Sequence, residues 1–118
     1  MEREKLHVLM VRPGEEAYEA DIEDSLEGLQ AAVGGYIEVV VIAGERECVI
    51  ICNEEGKMLG LEENRALRDH NGDIYDVLVG PFIVAAEDGE NFVSLNEEQM
   101  KRMKKLFGKP ERFTRCSM

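Results

Sequence analysis

Five consecutive apolar residues at positions 48–52 (CVIIC) constrain the fold of this chain more than any other feature. A strand with one face in water alternates apolar and polar residues, whereas an unbroken apolar run is typical of a strand buried on both faces. Residues 36–43 (YIEVVVIA) are also rich in β-branched side chains, and Gly44-Glu45 permits a tight turn between the two segments. The sequence therefore predicts a hairpin of two central strands, at 36–43 and 48–53. Its most buried side chains are expected to be Val40, Ile42, Val49 and Ile51.

Further short strands are predicted on either side of this hairpin. They lie at residues 5–12, 16–22, 74–79, 82–86 and 91–95. Residues 53–57 (NEEGK) fit a three-residue hairpin loop closed by a left-handed Gly56. Two more glycine-containing turns precede the strands at 74 and 91. Repeated turns of this kind favour a meandering sheet over βαβ units.

Two short helices, at about 24–34 and 96–107, are indicated by capping residues and apolar periodicity. The first begins at Asp24 as N-cap, with Glu27 three residues later as in a capping box, and Gly34 ends it. The second begins at Asn96, with Gln99 at the third helical position. The apolar residues expected to face the core are Leu26, Leu29 and Val33 in the first helix and Met100, Met103, Leu106 and Phe107 in the second.

These elements predict an α+β fold with a largely antiparallel mixed sheet of five to seven strands and two short helices. A chain of 118 residues is long enough for one domain with a modest core. We assign residues 1–108 to this single domain. Residues 109–118 have little to bury beyond Phe113 and are expected to form a loose basic C-terminal tail.

Charge is distributed unevenly along the chain, whose net charge is −11. Residues 1–100 contain 24 acidic and 7 basic residues, a net charge of −17, while residues 101–118 contain 1 acidic and 7 basic residues, a net charge of +6. The acidic body should repel phosphates, so nucleic acid is not an expected partner. A basic patch on the second helix would suit an acidic partner, or the acidic body of a second copy in a homo-oligomer. The patch consists of Lys101, Arg102, Lys104 and Lys105.

The three cysteines do not form a disulfide framework. Cys48 and Cys52 lie four residues apart on one predicted strand, about 13 Å at the usual rise, which is too far for a disulfide bond. They are interpreted as buried apolar residues, and no Cys-x-x-Cys pair or paired histidine predicts a metal site. The first residues do not resemble a signal peptide, and no apolar run approaches the roughly 18 residues of a membrane span. A cytoplasmic location without membrane contact is therefore expected.

The best candidate for a binding site is the pair Asn64-Arg65. Arginine offers a planar fork of donors suited to a carboxylate or phosphate, and Asn53 would supply an amide across a pocket. Glu54 and Arg68 complete the candidate set. In so acidic a chain, the competing interpretation is that Arg65 pairs with a nearby Asp or Glu and supports the fold.

No recognised catalytic constellation is present. His7 lies within a predicted strand and His70 in a turn, and neither is adjacent in sequence to a serine or cysteine nucleophile. Glu54 and Glu55 would lie on a hairpin tip, where carboxylates are normally solvated. We therefore predict no catalytic residues, no cofactor and no metal, and we do not expect an enzyme.

Four motifs resemble those of an uncharacterised family of small proteins, domain of unknown function 3846. They are LEGLQAAVGGYIE at 26–38, ICNEEGKMLGL at 51–61, NRALRD at 64–69 and FVSLNEEQ at 92–99. The resemblance covers residues 6–107 and implies a cytosolic accessory role in phages and mobile elements, without an assigned activity. Where such proteins usually have a proline after Gly-Leu, this chain has Glu62.

Two functions are left open by these observations. In the first, the chain is a small acidic accessory protein that acts by protein–protein interaction, modulating a host or defence protein. In the second, it is a module that binds an anionic small molecule or nucleotide around Asn53, Asn64 and Arg65.

Overall fold

A computed structural model of the chain describes residues 4–113. Within this range the chain forms eight strands and two helices, and the run of six successive strands between the helices is typical of an α+β domain. They are β1 (Lys5–Val11), β2 (Tyr18–Glu23), α1 (Leu26–Val33), β3 (Ile37–Val41), β4 (Cys48–Asn53), β5 (Glu63–Arg68), β6 (Ile74–Val79), β7 (Phe82–Asp88), β8 (Asn91–Val93) and α2 (Glu97–Phe107).

Six of these strands form the main sheet, in the order β2-β1-β7-β4-β3, with β8 paired to the far end of β7. The remaining two, β5 and β6, form a separate two-stranded sheet. Every pairing among the described strands is antiparallel. The predicted α+β class and the largely antiparallel sheet are confirmed, with the two strands of the second sheet added to a main sheet of the expected size.

The apolar run at 48–52 becomes β4, which lies between β7 and β3 with all six of its residues buried. The predicted pairing of this strand with β3 is also confirmed, since Val39 lies opposite Ile51 and Val41 opposite Val49. The prediction that both strands are central is wrong, because β3 has no neighbour on its other side and is an edge strand. For the same reason Val40 is only partly buried, while Ile42, Val49 and Ile51 are buried as predicted.

Both faces of the main sheet are covered, but by different elements. Helix α2 and the β5–β6 hairpin cover one face, where Phe107 of α2 meets Phe82 of β7 edge to face at a ring-centroid distance of 5.6 Å. Helix α1 covers part of the other face, where Leu29 packs with Ile51 and Ile83. The short α1 does not reach the end of β3, which remains exposed on that face.

The predicted hairpin loop at 53–57 is not formed. After β4 the chain turns away from the main sheet and enters β5, which pairs with β6 instead of returning along β4. The left-handed glycine of this loop is Gly60, with φ of 69°, and not Gly56. Gly56 is needed for a different reason, because an added Cβ would lie 2.9 Å from a methyl group of Val79.

Helix α1 begins one residue later than predicted. Ser25, not Asp24, is the N-cap, and its hydroxyl accepts a hydrogen bond from the Gly28 N–H. Because of this starting point, Leu26 is exposed rather than part of the inward stripe. Gly34 ends the helix in the left-handed conformation with φ of 80°, as predicted.

Helix α2 has the predicted capping box. The Asn96 side chain accepts from the Gln99 N–H at 2.8 Å, and the Gln99 side chain accepts from the Asn96 N–H at 2.9 Å. Met100, Met103 and Phe107 are buried as expected, whereas Leu106 is exposed. These three buried side chains dock the helix on the sheet.

The two described cysteines, Cys48 and Cys52, are free, buried and on the same face of β4. Burial raises the pKa of each thiol to about 11, so both are inert at neutral pH. Cys116 lies outside the described residues, as do residues 114–118 of the predicted tail. No helix between residues 4 and 113 is long and apolar enough to cross a membrane.

Candidate functional site

Arg65 is the largest fully buried side chain of the described chain. Its Nε donates to the Phe107 carbonyl at 3.0 Å, and Nη2 donates to the Glu15 carbonyl at 2.7 Å. Nη1 donates to Asn64 Oδ1 at 2.8 Å, with longer contacts to the carbonyls of Asn64 and Arg12. The guanidinium group thereby joins β5 to the β1–β2 turn and to the C-terminal end of α2.

The expectation that Arg65 pairs with an acidic side chain is wrong. All of its hydrogen-bond partners in residues 4–113 are carbonyl or amide oxygens. Burial lowers the pKa of Arg65, and the nearby Glu111 opposes that shift. The Phe107 carbonyl is the negative end of a helix dipole, which partly compensates the buried charge. A guanidinium group held by oxygens of four residues in this way stabilises the fold.

Asn64 and Asn53 are also engaged by the backbone. The Asn64 amide, fully buried, donates to the carbonyls of Val11 and Gly80 at 3.0 and 2.8 Å. The Asn53 amide donates to the Val33 carbonyl at 3.2 Å, and its oxygen accepts from the Glu55 N–H at 2.8 Å. Each asparagine thus fixes a junction between elements.

The five predicted site residues do not converge on one open pocket. Asn64 and Arg65 are interior, whereas Arg68 is exposed and binds both carboxylate oxygens of Glu111 at 3.2 Å. Asn53 and Glu54 instead line a groove of about 330 Å³ between the β3–β4 hairpin and β6. The structure therefore places the five residues in three separate environments.

The predicted basic patch is partly neutralised within the molecule. Arg102 binds Glu45 through two parallel hydrogen bonds of 3.0 Å, and this lowers the pKa of Glu45 to about 2. Lys104 binds Glu19 of β2. Lys101 and Lys105 are exposed. The basic face of α2 is thereby tied to the β3–β4 turn at one point and to β2 at another.

His7 is held between two carboxylates of β2. Its Nδ1 lies 2.7 Å from Asp21 Oδ1, and its Nε2 lies 2.8 Å from Glu19 Oε1. Both nitrogens can donate only in the protonated ring, so the contacts with Glu19 and Asp21 raise the pKa of His7. His7, Glu19 and Lys104 line a broad surface depression of about 960 Å³. The charges of these three residues are already paired with one another, which weakens this part of the depression as a ligand site.

The outer edge of β3 is the most open part of the backbone. The Glu54 N–H donates to the Tyr36 carbonyl at 2.8 Å. In the antiparallel ladder of β3 with β4, the backbone groups of the even-numbered residues of β3 therefore face β4. The N–H and C=O groups of Ile37, Val39 and Val41 therefore point away from the sheet, and within residues 4–113 no hydrogen bond reaches them. Farther along, the Ala43 N–H donates to the Tyr75 hydroxyl at 3.0 Å.

Apolar side chains accompany this open backbone. Tyr36, Val39 and Val41 are 65 %, 43 % and 71 % exposed. The sequence interpretation missed this surface because it placed the strand in the centre of the sheet. Glu38 was the available signal, since a central strand covered on both faces would have to bury its carboxylate at a large cost.

The chain is thus a small α+β domain with an open sheet edge and, between residues 4 and 113, no group of side chains arranged to hold a metal ion. It belongs to the family described as Domain of unknown function (DUF3846), whose model matches residues 5–108. No curated protein and no solved structure matches the chain significantly.

Proposed function

We propose that this protein acts by protein–protein interaction and that its partner adds a strand to the outer edge of β3. The observation that supports this most directly is the row of outward-facing backbone groups at Ile37, Val39 and Val41, together with the exposed valine side chains. Main-chain hydrogen bonds supply the affinity of strand addition, and the alternating side chains supply its specificity.

Open edges are a hazard that soluble proteins usually suppress. Lysine, proline, a bulge or an inward-facing charge prevents an edge strand from pairing with other chains. β3 has five residues without proline or lysine, and Glu38 is its one charge. Its ladder with β4 runs from Ile37 to Val41 without a shift in register. An edge that carries one acid and no lysine, proline or bulge is suited to a partner.

The wider role proposed is that of an accessory protein of a phage or mobile element, located in the cytoplasm, that modulates a host or defence protein. The net charge of −11 supports this choice, because an acidic surface attracts basic protein surfaces and repels nucleic acid. The family resemblance supplies the setting.

The alternative, binding of an anionic small molecule around Asn53, Asn64 and Arg65, receives less support. The Arg65 guanidinium group is fully buried and donates to oxygens of four residues, so a ligand would have to displace structural hydrogen bonds to reach it.

The test is a pull-down with three forms of the protein: wild type, Val41→Lys and Leu106→Lys. Val41 and Leu106 are both exposed apolar residues, at 71 % and 54 %, so the two variants gain the same charge at different places. We expect a specific protein to be retained by wild type and by Leu106→Lys and lost with Val41→Lys, with unchanged thermal stability for both variants.

Retention of the same partner by all three forms would place the contact surface elsewhere. A wild-type protein that retains no specific partner would contradict interaction as the function. If wild type retains a partner that Val41→Lys loses, cross-linking through a photoreactive residue at position 41 would identify which segment of the partner lies against β3.

A further inference from the structure

The groove beside β3 defines what kind of segment this edge accepts. In a strand added to β3, successive side chains point to opposite faces of the sheet. One set would lie beside Ile37, Val39 and Val41, on the face that α1 covers only in part. The other set would lie beside Glu38 and Val40, at the groove between the β3–β4 hairpin and β6.

These two surroundings differ in chemistry. The first is apolar and exposed, so it favours apolar side chains that bury Val39 and Val41. The second contains three carboxylates, those of Glu38, Glu54 and Asp76, against one cation, Lys57.

The charge in the groove is only partly balanced. Lys57 Nζ lies 2.6 Å from Asp76 Oδ1, which neutralises that pair. Within residues 4–113, Glu38 and Glu54 form no ion pair, and both are exposed. Two carboxylates without an ion-pair partner therefore remain beside the open backbone, where an incoming lysine or arginine would be attracted.

Resting on the function proposed above, we propose that the segment which adds to β3 is an extended stretch of a partner protein in which apolar residues alternate with lysine or arginine. The apolar set covers Val39 and Val41, and the basic set faces Glu38 and Glu54. A second copy of this chain is a poorer occupant, because two molecules of net charge −11 repel one another and a β3–β3 contact brings no cation to Glu38.

The test uses a short fluorescent peptide in which valine alternates with lysine, titrated by fluorescence polarisation at low and at physiological salt. Two further peptides are compared with it: one with glutamate in place of lysine, and one with the same valines and lysines in two blocks. We expect binding of the alternating valine–lysine peptide, with affinity about tenfold or more lower for each of the others. Added salt should weaken the binding, since the attracting carboxylates are exposed.

Three variants locate the contact. Glu38→Lys and Val41→Lys should each lower the affinity for the valine–lysine peptide about tenfold or more. Glu97→Lys changes the charge equally at an exposed position on α2 and should leave the affinity unchanged. If Glu97→Lys weakens binding as much as Glu38→Lys, or if the block peptide binds as well as the alternating one, the attraction is non-specific and the proposal is wrong.

The failure of this inference can be separated from the failure of the proposed function. Equal binding of the lysine and glutamate peptides, both lost with Val41→Lys, would overturn the basic partner and leave strand addition at β3 intact. A wild-type protein that dimerises in sedimentation, with dimers dissolved by Val41→Lys, would identify a second copy as the occupant instead. If no peptide binds the wild type, the basic-segment proposal fails, and the pull-down separately decides strand addition.

Discussion

The two outer strands of the main sheet, β2 and β3, expose opposite kinds of side chain along their open edges. The Asp24 N–H donates to the Glu4 carbonyl, so the residues of β2 whose backbone points outward are Glu19, Asp21 and Glu23. The corresponding residues of β3 are Ile37, Val39 and Val41. One edge is therefore lined by three acids and the other by three β-branched apolar residues.

The outward-facing side chains indicate which edge is protected against pairing with other chains. A strand that approached β2 would have to pair beside three carboxylates, two of which already bind His7. A strand that approached β3 would bury exposed valines, and Glu38 is the one acid within β3 itself. Both β2 and β3 are edge strands, so their position in the sheet does not distinguish them. The side chains of their outward-facing residues do.

The two edges are also fastened differently to the rest of the molecule. β2 is held through its turn, where Arg65 binds the carbonyls of Arg12 and Glu15, and the Ala17 N–H donates to the Gly108 carbonyl at 2.8 Å. β3 is held by its ladder with β4 and by the neighbouring turn, where Glu45 binds Arg102. A variant that removes one of these contacts should therefore destabilise one edge strand more than the other.

The largest effect is expected from Arg65→Ala. The change leaves a cavity and several carbonyl oxygens without donors, and we expect it to lower the free energy of unfolding by about 2–4 kcal/mol. Chemical denaturation measures this loss, and hydrogen exchange should show greater deprotection of β2 than of β3. Arg68→Ala is the matched control, because its exposed pair with Glu111 contributes at most about 1 kcal/mol. Equal decreases in the free energy of unfolding for Arg65→Ala and Arg68→Ala would show that the buried Arg65 does not stabilise the fold.

A smaller loss of stability is expected from Arg102→Ala, and it should affect β3 more than β2. The Glu45 carboxylate is 8 % exposed, and Arg102 lowers its pKa to about 2. A lowered pKa contributes stability above the ordinary value of 4.5, and this contribution is lost as pH falls towards 2. The wild type should therefore lose stability more steeply between pH 4.5 and 2 than Arg102→Ala does.

Lys101→Ala is the control for that acid titration. It removes one positive charge from an exposed position on the same helix and should leave the dependence that Glu45 produces unchanged. Identical acid titrations for the wild type and Arg102→Ala would contradict the role of Glu45 at the β3–β4 turn.

The smallest effect is expected from His7, which bridges the acids of β2. Because the contacts with Glu19 and Asp21 raise its pKa, protonated His7 stabilises the fold fully below the ordinary value of 6.5, and this contribution is lost as pH rises through the higher pKa of the folded state. Denaturant midpoints between pH 6 and 9 should therefore fall in the wild type and change less in His7→Gln. His70→Gln, at an exposed turn histidine, should follow the wild type. A midpoint that rises with pH would contradict this assignment.

Local patterns in the sequence predicted those elements whose signals are themselves local. The Asn96–Gln99 capping box, the glycine at position 34 and the buried run in β4 depend on neighbours a few residues away. The position of β3 in the sheet depends on which strand lies beside it. A run of valine and isoleucine can form either a buried central strand or an apolar edge strand, so the sequence alone does not distinguish them. The sequence did not predict β5 for a similar reason. The direction of β5 is decided by its pairing with β6 and not by the preceding strand β4.

The candidate site was harder to predict than the fold. The sequence marks Asn64 and Arg65 as candidates, but their hydrogen bonds reach Val11, Glu15 and Phe107, residues 42 to 53 positions away. No spacing in the sequence reports such contacts. The exposed valines of β3 became visible only when the edge was known.

The hydrogen bond between the Ala43 N–H and the Tyr75 hydroxyl limits how far an added strand can extend. It occupies the next outward-facing donor after Val41, so the open stretch of β3 ends there, beside Tyr75 of β6. If a partner strand adds to β3 as proposed, Tyr75 would limit the length of that strand and fix one end of its register. A longer strand would have to displace the phenol or bend away from the sheet.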